Sequence, residues 1–143
     1  MTFQLIKVET EEQLELAFSI RREVYIDEQS VPEDLEFDGL DDVAKNYLVT
    51  TEDAKAIGTF RMLYEDEYAK LQRFAVLKEW RGKGAGIFAV ETSIDITRKM
   101  GYKEARLDAQ VRAIGFYERF GFKVVSEEFM DAGIPHKKMS LDL

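Results

Sequence analysis

Cysteine is missing from this 143-residue chain, and histidine occurs once, at His136. The first absence excludes a disulfide framework, a thiolate metal site and a cysteine nucleophile. The second excludes any metal motif built on two histidines, and no metal site is expected. Only two prolines occur, with no glycine/serine linker and no internal repeat, so one continuous domain over 1–143 is expected. No apolar stretch approaches the roughly 18–20 residues of a membrane span. The opening MTFQLIKVET lacks the basic-then-apolar pattern of a secretory signal. These absences point to a cytoplasmic protein with no membrane partner. Basic residues are in deficit too, 20 against 28 acidic, for a net charge of -8. Nucleic acid demands a sustained basic surface, so no nucleic-acid partner is expected. The acidic balance leans instead toward a cationic small molecule.

What is present suffices for a core. The chain is 45% hydrophobic and 12% aromatic, and a domain of this size buries about 68–70% of its unfolded surface. Alternation predicts strands over 3–8, 46–51, 56–64, 71–77, around Ala105, Leu107 and Ala109, and over 122–125 and 138–143. Helical spacing of Leu14, Ala17, Phe18, Val24 and Tyr25 predicts one helix over 10–28, capped by Thr10. A second helix is predicted over 84–100 on a buried stripe of Ile87, Val90 and Ile94, and a short one over 114–120. The stretch SVPEDLEFDGLDD reads as loop or short irregular helix. The order is β-α-β-β-β-α-β-α-β-β. Its fourth strand, helix and fifth strand form a βαβ unit, whose strands should run parallel within a mixed sheet.

Lys78-Glu79-Trp80-Arg81-Gly82-Lys83-Gly84-Ala85-Gly86 joins the fourth strand to the long helix. Alternating glycines remove side chains where the backbone bends, so several amides can converge on one point. A helix N-terminus adds about half a positive charge, and such sites bind phosphate. Lys78, Arg81 and Lys83 cluster here although the chain is acidic. The alternative is a solvated strand-to-helix turn. No P-loop stretch exists. Gly84-Ala85-Gly86-Ile87-Phe88-Ala89 fits G-x-G-x-x-A, with Asp108 at about the spacing of a ribose-binding acid. Against a dinucleotide fold stand the mid-chain position, the residues separating strand from glycine, and the short remaining chain.

Gly115-Phe116-Tyr117-Glu118-Arg119-Phe120-Gly121-Phe122 follows the fifth strand. Phe116 and Phe120, four apart, share a helix face and belong to the core. Tyr117 is turned away from them. A βαβ crossover brings the glycine turn and the end of the fifth strand to one sheet edge. A ligand held by its phosphates at the turn would therefore extend toward Tyr117, whose phenol can donate a proton.

Taken together, residues 71–122 resemble the acetyl-CoA core of the GNAT N-acetyltransferase superfamily. Arg81-Gly82-Lys83-Gly84-Ala85-Gly86 matches the family's Arg/Gln-x-x-Gly-x-Gly/Ala element, and Phe116-Tyr117-Glu118-Arg119-Phe120-Gly121-Phe122 its FYExxGF-like element. The ends are similar to a subgroup of small stand-alone bacterial members, ElaA-like: Glu28-Gln29-Ser30-Val31-Pro32 with Glu36, Asp38 and Asp41, then Glu128-Phe129 and Gly133-Ile134-Pro135-His136-Lys137-Lys138-Met139. Asn46 departs from that subgroup, which has histidine there. The resemblance implies an α/β (α+β) fold with a mixed, twisted, mostly antiparallel sheet of six to seven strands. About four helices flank it, and strands 4 and 5 run parallel and splay apart. It implies acetyl-CoA as donor, its diphosphate held by the amides of Arg81, Gly82, Lys83, Gly84, Ala85 and Gly86. Its pantetheine arm would pair with the backbone at Phe74, Ala75 and Val76, and Tyr117 would be the general acid.

The acceptor would be a small-molecule or peptide amine attacking the thioester directly, because no cysteine can carry the acyl group. His136 is a candidate base or substrate-site group, and Glu28, Glu36 and Asp38 are candidate substrate acids. The base stays open among them. The other class of function is a non-catalytic acyl-CoA-binding regulatory module. Both a monomer and a homodimer are compatible with the sequence.

Overall fold

A computed structural model of the protein describes residues 2–143. Strands β1 (Phe3–Lys7), β2 (Lys45–Thr51), β3 (Ala56–Tyr64) and β4 (Ala69–Val76) form an antiparallel run. Helix α1 (Glu11–Arg21) separates β1 from β2, and short α2 (Glu33–Glu36) follows it. Helix α3 (Ala85–Lys99) crosses over to β5 (Glu104–Gln110), which lies parallel to β4. After α4 (Ile114–Glu118) come β6 (Lys123–Val124), β7 (Phe129–Asp131) and β8 (Ile134–Asp142). The sheet order is β1-β2-β3-β4-β5-β8-β6, with β7 also on β8.

Alternation along the strands divides the core into two layers. Leu48 of β2 and Ala75 of β4 meet Ala17, Ile20 and Val24 of the α1 side. Val49, Phe60, Leu71 and Leu107 face the other way, against Ala89, Val90 and Ile94 of α3. Burying a side chain of the Val, Leu, Ile or Phe class contributes about 1.5–3 kcal/mol, so both layers are needed. The α3 stripe differs from the predicted one at Ile87, which stays partly exposed while Ala85, Ala89, Ser93 and Thr97 are buried.

Three differences from the sequence reading have physical causes. The predicted helix over 10–28 begins as expected: Thr10 Oγ1 accepts from the Gln13 amide at 3.1 Å and Gln13 Oε1 accepts from the Thr10 amide at 3.2 Å. Past Arg21, however, it becomes a π-helix, Arg22–Glu28, which the polar/apolar spacing of the segment does not announce. The sheet has eight strands rather than six or seven. The excess arises because β6 and β7 are two pieces on β8, interrupted near Glu127 and Glu128. Finally, β8 begins at Ile134, not 138. Ala132 and Gly133, with φ of 52° and 76°, make the two-residue hairpin turn that β7 and β8 need.

The parallel pair does splay. β4 and β5 are registered only at Ala69↔Ala105 and Lys70↔Arg106, although β4 continues to Val76 and β5 to Gln110. The divergence coincides with a bulge: Thr59 pairs Ala75 and Arg61 pairs Gln72, leaving Phe60 opposite both Arg73 and Phe74. Arg73 has φ of 58°, a left-handed conformation costing a non-glycine residue about 1–3 kcal/mol.

Candidate active site

The gap between β4 and β5 opens into a cleft of about 490 Å³. Phe74, Ala75 and Val76 form one lip, Leu107, Asp108 and Gln110 the other, and Tyr117 and His136 also line it. Leu77 donates its amide to the Ile57 carbonyl at 2.9 Å. By strand alternation Phe74 and Val76 therefore aim their N–H and C=O groups toward the gap. Both carbonyls have partners. The Tyr25 hydroxyl donates to the Phe74 carbonyl, and Arg81 Nε donates to the Val76 carbonyl at 2.9 Å. The lip thus presents its amides.

Tyr117 is half-buried against Phe74, Phe116 and Phe122, with ring centroids 6.1, 5.3 and 6.2 Å away. Burial pushes its hydroxyl up to about 12, so it is a protonated donor at neutral pH. Burial also raises Tyr25 well above the usual phenol range, and the neighbouring Tyr117 adds to this.

The glycine turn follows β4. Gly82 and Gly84 have φ of 75° and 93°, and a Cβ at either would meet nothing within 4 Å. Glycine is required there by backbone conformation, not by crowding. Among the described residues, the amides of Gly82, Lys83, Gly84, Ala85 and Gly86 make no turn, loop or cap hydrogen bond. The Arg81 amide is different, because it bonds the Lys78 carbonyl at 3.3 Å. The set of available amides therefore begins at Gly82, one residue later than expected. The Arg81 guanidinium pairs with Glu28 at 2.9 Å. Lys83 and Gly84 face a shallower depression shared with Phe3, Ile87 and Phe88.

A buried ion network stands behind the cleft wall. Arg21, fully buried, donates from Nε to Glu36 Oε2 at 2.8 Å and from Nη1 to Asp41 Oδ1 at 2.7 Å. Arg61, also fully buried, grips both oxygens of Asp38 at 2.7 and 3.0 Å and takes Gln72 Oε1 at 3.0 Å. Arg73 Nε lies 3.1 Å from Glu36 Oε2 without hydrogen-bond alignment, and Arg73 Nη2 donates to Asp38 Oδ2 at 3.2 Å. Three guanidinium groups therefore neutralise three carboxylates. Burial acts to raise Asp38, but the Arg61 hydrogen bond, the Leu40 amide and the charges of Arg61 and Arg73 outweigh it and hold the carboxyl at about 2.

At the far side of the cleft, His136 Nδ1 is 2.7 Å from the Ile134 carbonyl. A carbonyl only accepts, so Nδ1 carries the hydrogen, and Nε2 of the neutral ring keeps its lone pair. The ring stacks on Phe129 at 5.9 Å.

Residues 6–143 match the model of the acetyltransferase (GNAT) domain. The chain belongs to the GNAT acetyltransferase family. It is 39% identical over 133 residues to YjcF of Bacillus subtilis, described as an uncharacterized N-acetyltransferase, with 92% of this chain and 94% of that one covered. The crystal structure of Escherichia coli ElaA superposes with a TM-score of 0.84 at 25% identity, over 97% of each chain. That of an acyl-CoA N-acyltransferase from Pseudomonas aeruginosa gives 0.86 at 24%, again over 97% of each.

In this acetyltransferase the expected site residues separate into three groups, of which Gly82, Lys83, Gly84, Ala85 and Gly86 lie on the turn, outside the cleft lining. Phe74, Ala75, Val76, Arg81, Tyr117, His136 and Glu28 converge on one cleft. Glu36 touches its wall but is 2% exposed and committed to Arg21 and Arg73. Asp38 is outside the lining and bound to Arg61. Glu36 and Asp38 are thus structural acids. Asn46 is buried on β2, opposite Arg61 in register, and does not line the cleft. Tyr25, Gln29, Arg73 and Gln110 line the cleft too and were given no site role by sequence. A signal existed for the arginines. Arg21 falls on the buried stripe of Ala17, Ile20 and Val24, and Arg61 sits inside a strand buried on both faces. An arginine in such a place requires buried acids.

Proposed function

We propose that the protein transfers an acetyl group from acetyl-CoA to a primary amine of a small molecule or peptide. The observation that carries this reading is the half-buried Tyr117 ring, packed on Phe74 where β4 and β5 part and lining the cleft there. The cleft and the glycine turn beside it support an acyl-CoA donor. The unpaired amides of Gly82, Lys83, Gly84, Ala85 and Gly86, with the α3 dipole behind them, suit a diphosphate. The β4 lip, through Phe74 and Val76, offers amides to an amide-bearing arm and to a thioester oxygen. Acetyl-CoA supplies an activated acyl group and a thiolate leaving group; the protein orients and manages protons.

The amine attacks the thioester carbon, forming the C–N bond as the C–S bond breaks. Tyr117 gives its proton to the departing sulfur, typically worth about 10²–10⁴-fold for a general acid. His136 Nε2 takes the amine proton, directly or through water. Both oxygens of Glu28 lie on Arg81 Nη2, at 3.0 and 2.9 Å, and the pair helps shape the acceptor side. The Pseudomonas neighbour, described as an acyl-CoA N-acyltransferase, supports an acyl-CoA donor.

The test is thiol release from acetyl-CoA across a panel of amines. With no cysteine in the chain, a thiol reagent reads only the released coenzyme A. Amine-dependent release is expected. Protection against heat by coenzyme A without turnover on any amine would instead identify a non-catalytic binding module.

A further inference from the structure

The π-helix is tied to both sides of the splay. Tyr25 reaches the Phe74 carbonyl on β4, and Gln29, directly after the π-helix, reaches Gln110 at the end of β5. Gln110 Nε2 donates to Gln29 Oε1 at 2.8 Å, and Gln110 Oε1 accepts from Arg112 Nε at 2.8 Å. Both ends of the Gln110 amide are engaged, and the two bonds require the same orientation, so the group is fixed. π-Turns inside helices are rare and concentrate at functional sites. This one carries Tyr25, Glu28 and Gln29 to the cleft together.

We infer that the Gln29–Gln110 amide bridge limits acyl length, restricting the donor to short acyl-CoA esters. The inference rests on the acyl-CoA reading of the cleft. Donor and phenol sit on the α3 and α4 side, where Phe74 packs on Tyr117. The bridge comes from the α1 side, so it closes the gap across from them. An acyl group placed between Phe74 and Tyr117 points its terminal carbon toward this polar bar. On this reading a methyl group leaves the bar intact. A longer alkyl chain displaces the bar, breaking the Gln29–Gln110 hydrogen bond in a partly buried place.

Equilibrium binding of coenzyme A, acetyl-CoA, butyryl-CoA and hexanoyl-CoA tests this without an acceptor. The native protein should bind hexanoyl-CoA at least about tenfold more weakly than acetyl-CoA, the scale on which a pocket rejects excess methylenes. Gln110→Ala should bring the two esters to within about twofold of each other, each read relative to that variant's own affinity for free coenzyme A, and Gln29→Ala should do the same from the opposite end. Equal native affinity for both esters overturns the inference, as does a discrimination that survives in both variants. Failure of coenzyme A itself to bind would overturn the parent reading instead.

Discussion

Tyr25 and Tyr117 meet Phe74 from opposite faces of the sheet, one holding its carbonyl and the other its ring. Tyr25 belongs to the layer packed under α1, Tyr117 to the layer under α3 and α4. Two phenols thus fix one residue of the bulged strand, and they do different work. Tyr25 spends its proton on a carbonyl, whereas Tyr117 keeps its own for the cleft. Tyr25→Phe leaves the Phe74 carbonyl without that donor and should destabilise the fold by about 1–3 kcal/mol. Denaturant unfolding monitors the loss.

Tyr117→Phe should lower kcat by about 10²–10⁴-fold with KM for acetyl-CoA nearly unchanged, because the ring packing is retained. Steady-state kinetics under chemistry-limited conditions measures the split, and an unaltered kcat removes the acid role.

The same phenol has an alkaline signature. Its folded value, about 12, exceeds the unfolded value of 10.0, so folding favours the protonated form. Its contribution to stability is complete below about pH 10 and is lost as pH rises toward 12. Tyr25, raised also, adds in the same direction. Unfolding free energy should therefore decline through this window, and Tyr117→Phe should flatten the decline.

Asp38 behaves oppositely. Its folded value of about 2 lies below the ordinary 3.8, so its contribution is complete above pH 4 and lost as pH falls through 2. Asp38→Asn should flatten the decline in that window and, by depriving buried Arg61 of its charged bidentate partner, cost about 3–5 kcal/mol at neutral pH. Glu36→Gln should show a similar loss of stability. If either variant instead raised KM for the amine with stability intact, the assignment of these acids to the wall would fail.

The order of the main elements along the chain, the parallel pairing of β4 and β5 and the glycine turn were legible because each left a local mark: alternation at Ala105, Leu107 and Ala109, three spaced glycines, and the Phe116/Phe120 pair. The cleft-facing tie of Gln29 to Gln110 was not, since the two residues are 81 apart in sequence and neither breaks a pattern. The π-helix escaped for a related reason. Its seven residues carry spacing compatible with continued α-helix, and the cross-cleft contacts of Tyr25, Glu28 and Gln29 decide the outcome. Glu36 and Asp38 looked like acceptor groups because sequence shows acids in a loop but not the arginines that reach them from α1, β3 and β4.

Two glycines of the turn should respond with opposite signs. Gly84, at φ of 93°, faces open space, so Gly84→Ala introduces no clash. It does impose a left-handed conformation on an L-residue, at a cost of about 1–2 kcal/mol. Relief comes by relaxing the turn, which shifts the unpaired amides of Gly82 to Gly86. Coenzyme A affinity should therefore fall together with thermal stability. Gly86 lies inside α3 without a positive φ, and a Cβ there meets only the Phe116 Cζ at 3.5 Å, an ordinary contact. Replacing glycine within a helix by alanine stabilises by about 0.5–1 kcal/mol, so Gly86→Ala should raise the melting temperature. Its methyl group sits beside the amides proposed to hold the diphosphate, so a drop in coenzyme A affinity would point to steric exclusion there rather than to a loosened turn. Calorimetric titration of both variants separates the two effects: Gly84→Ala weaker in binding and in stability, Gly86→Ala more stable whatever its affinity. A Gly84→Ala variant that bound coenzyme A as tightly as the native chain would show that the amide geometry of this turn is not what holds the diphosphate.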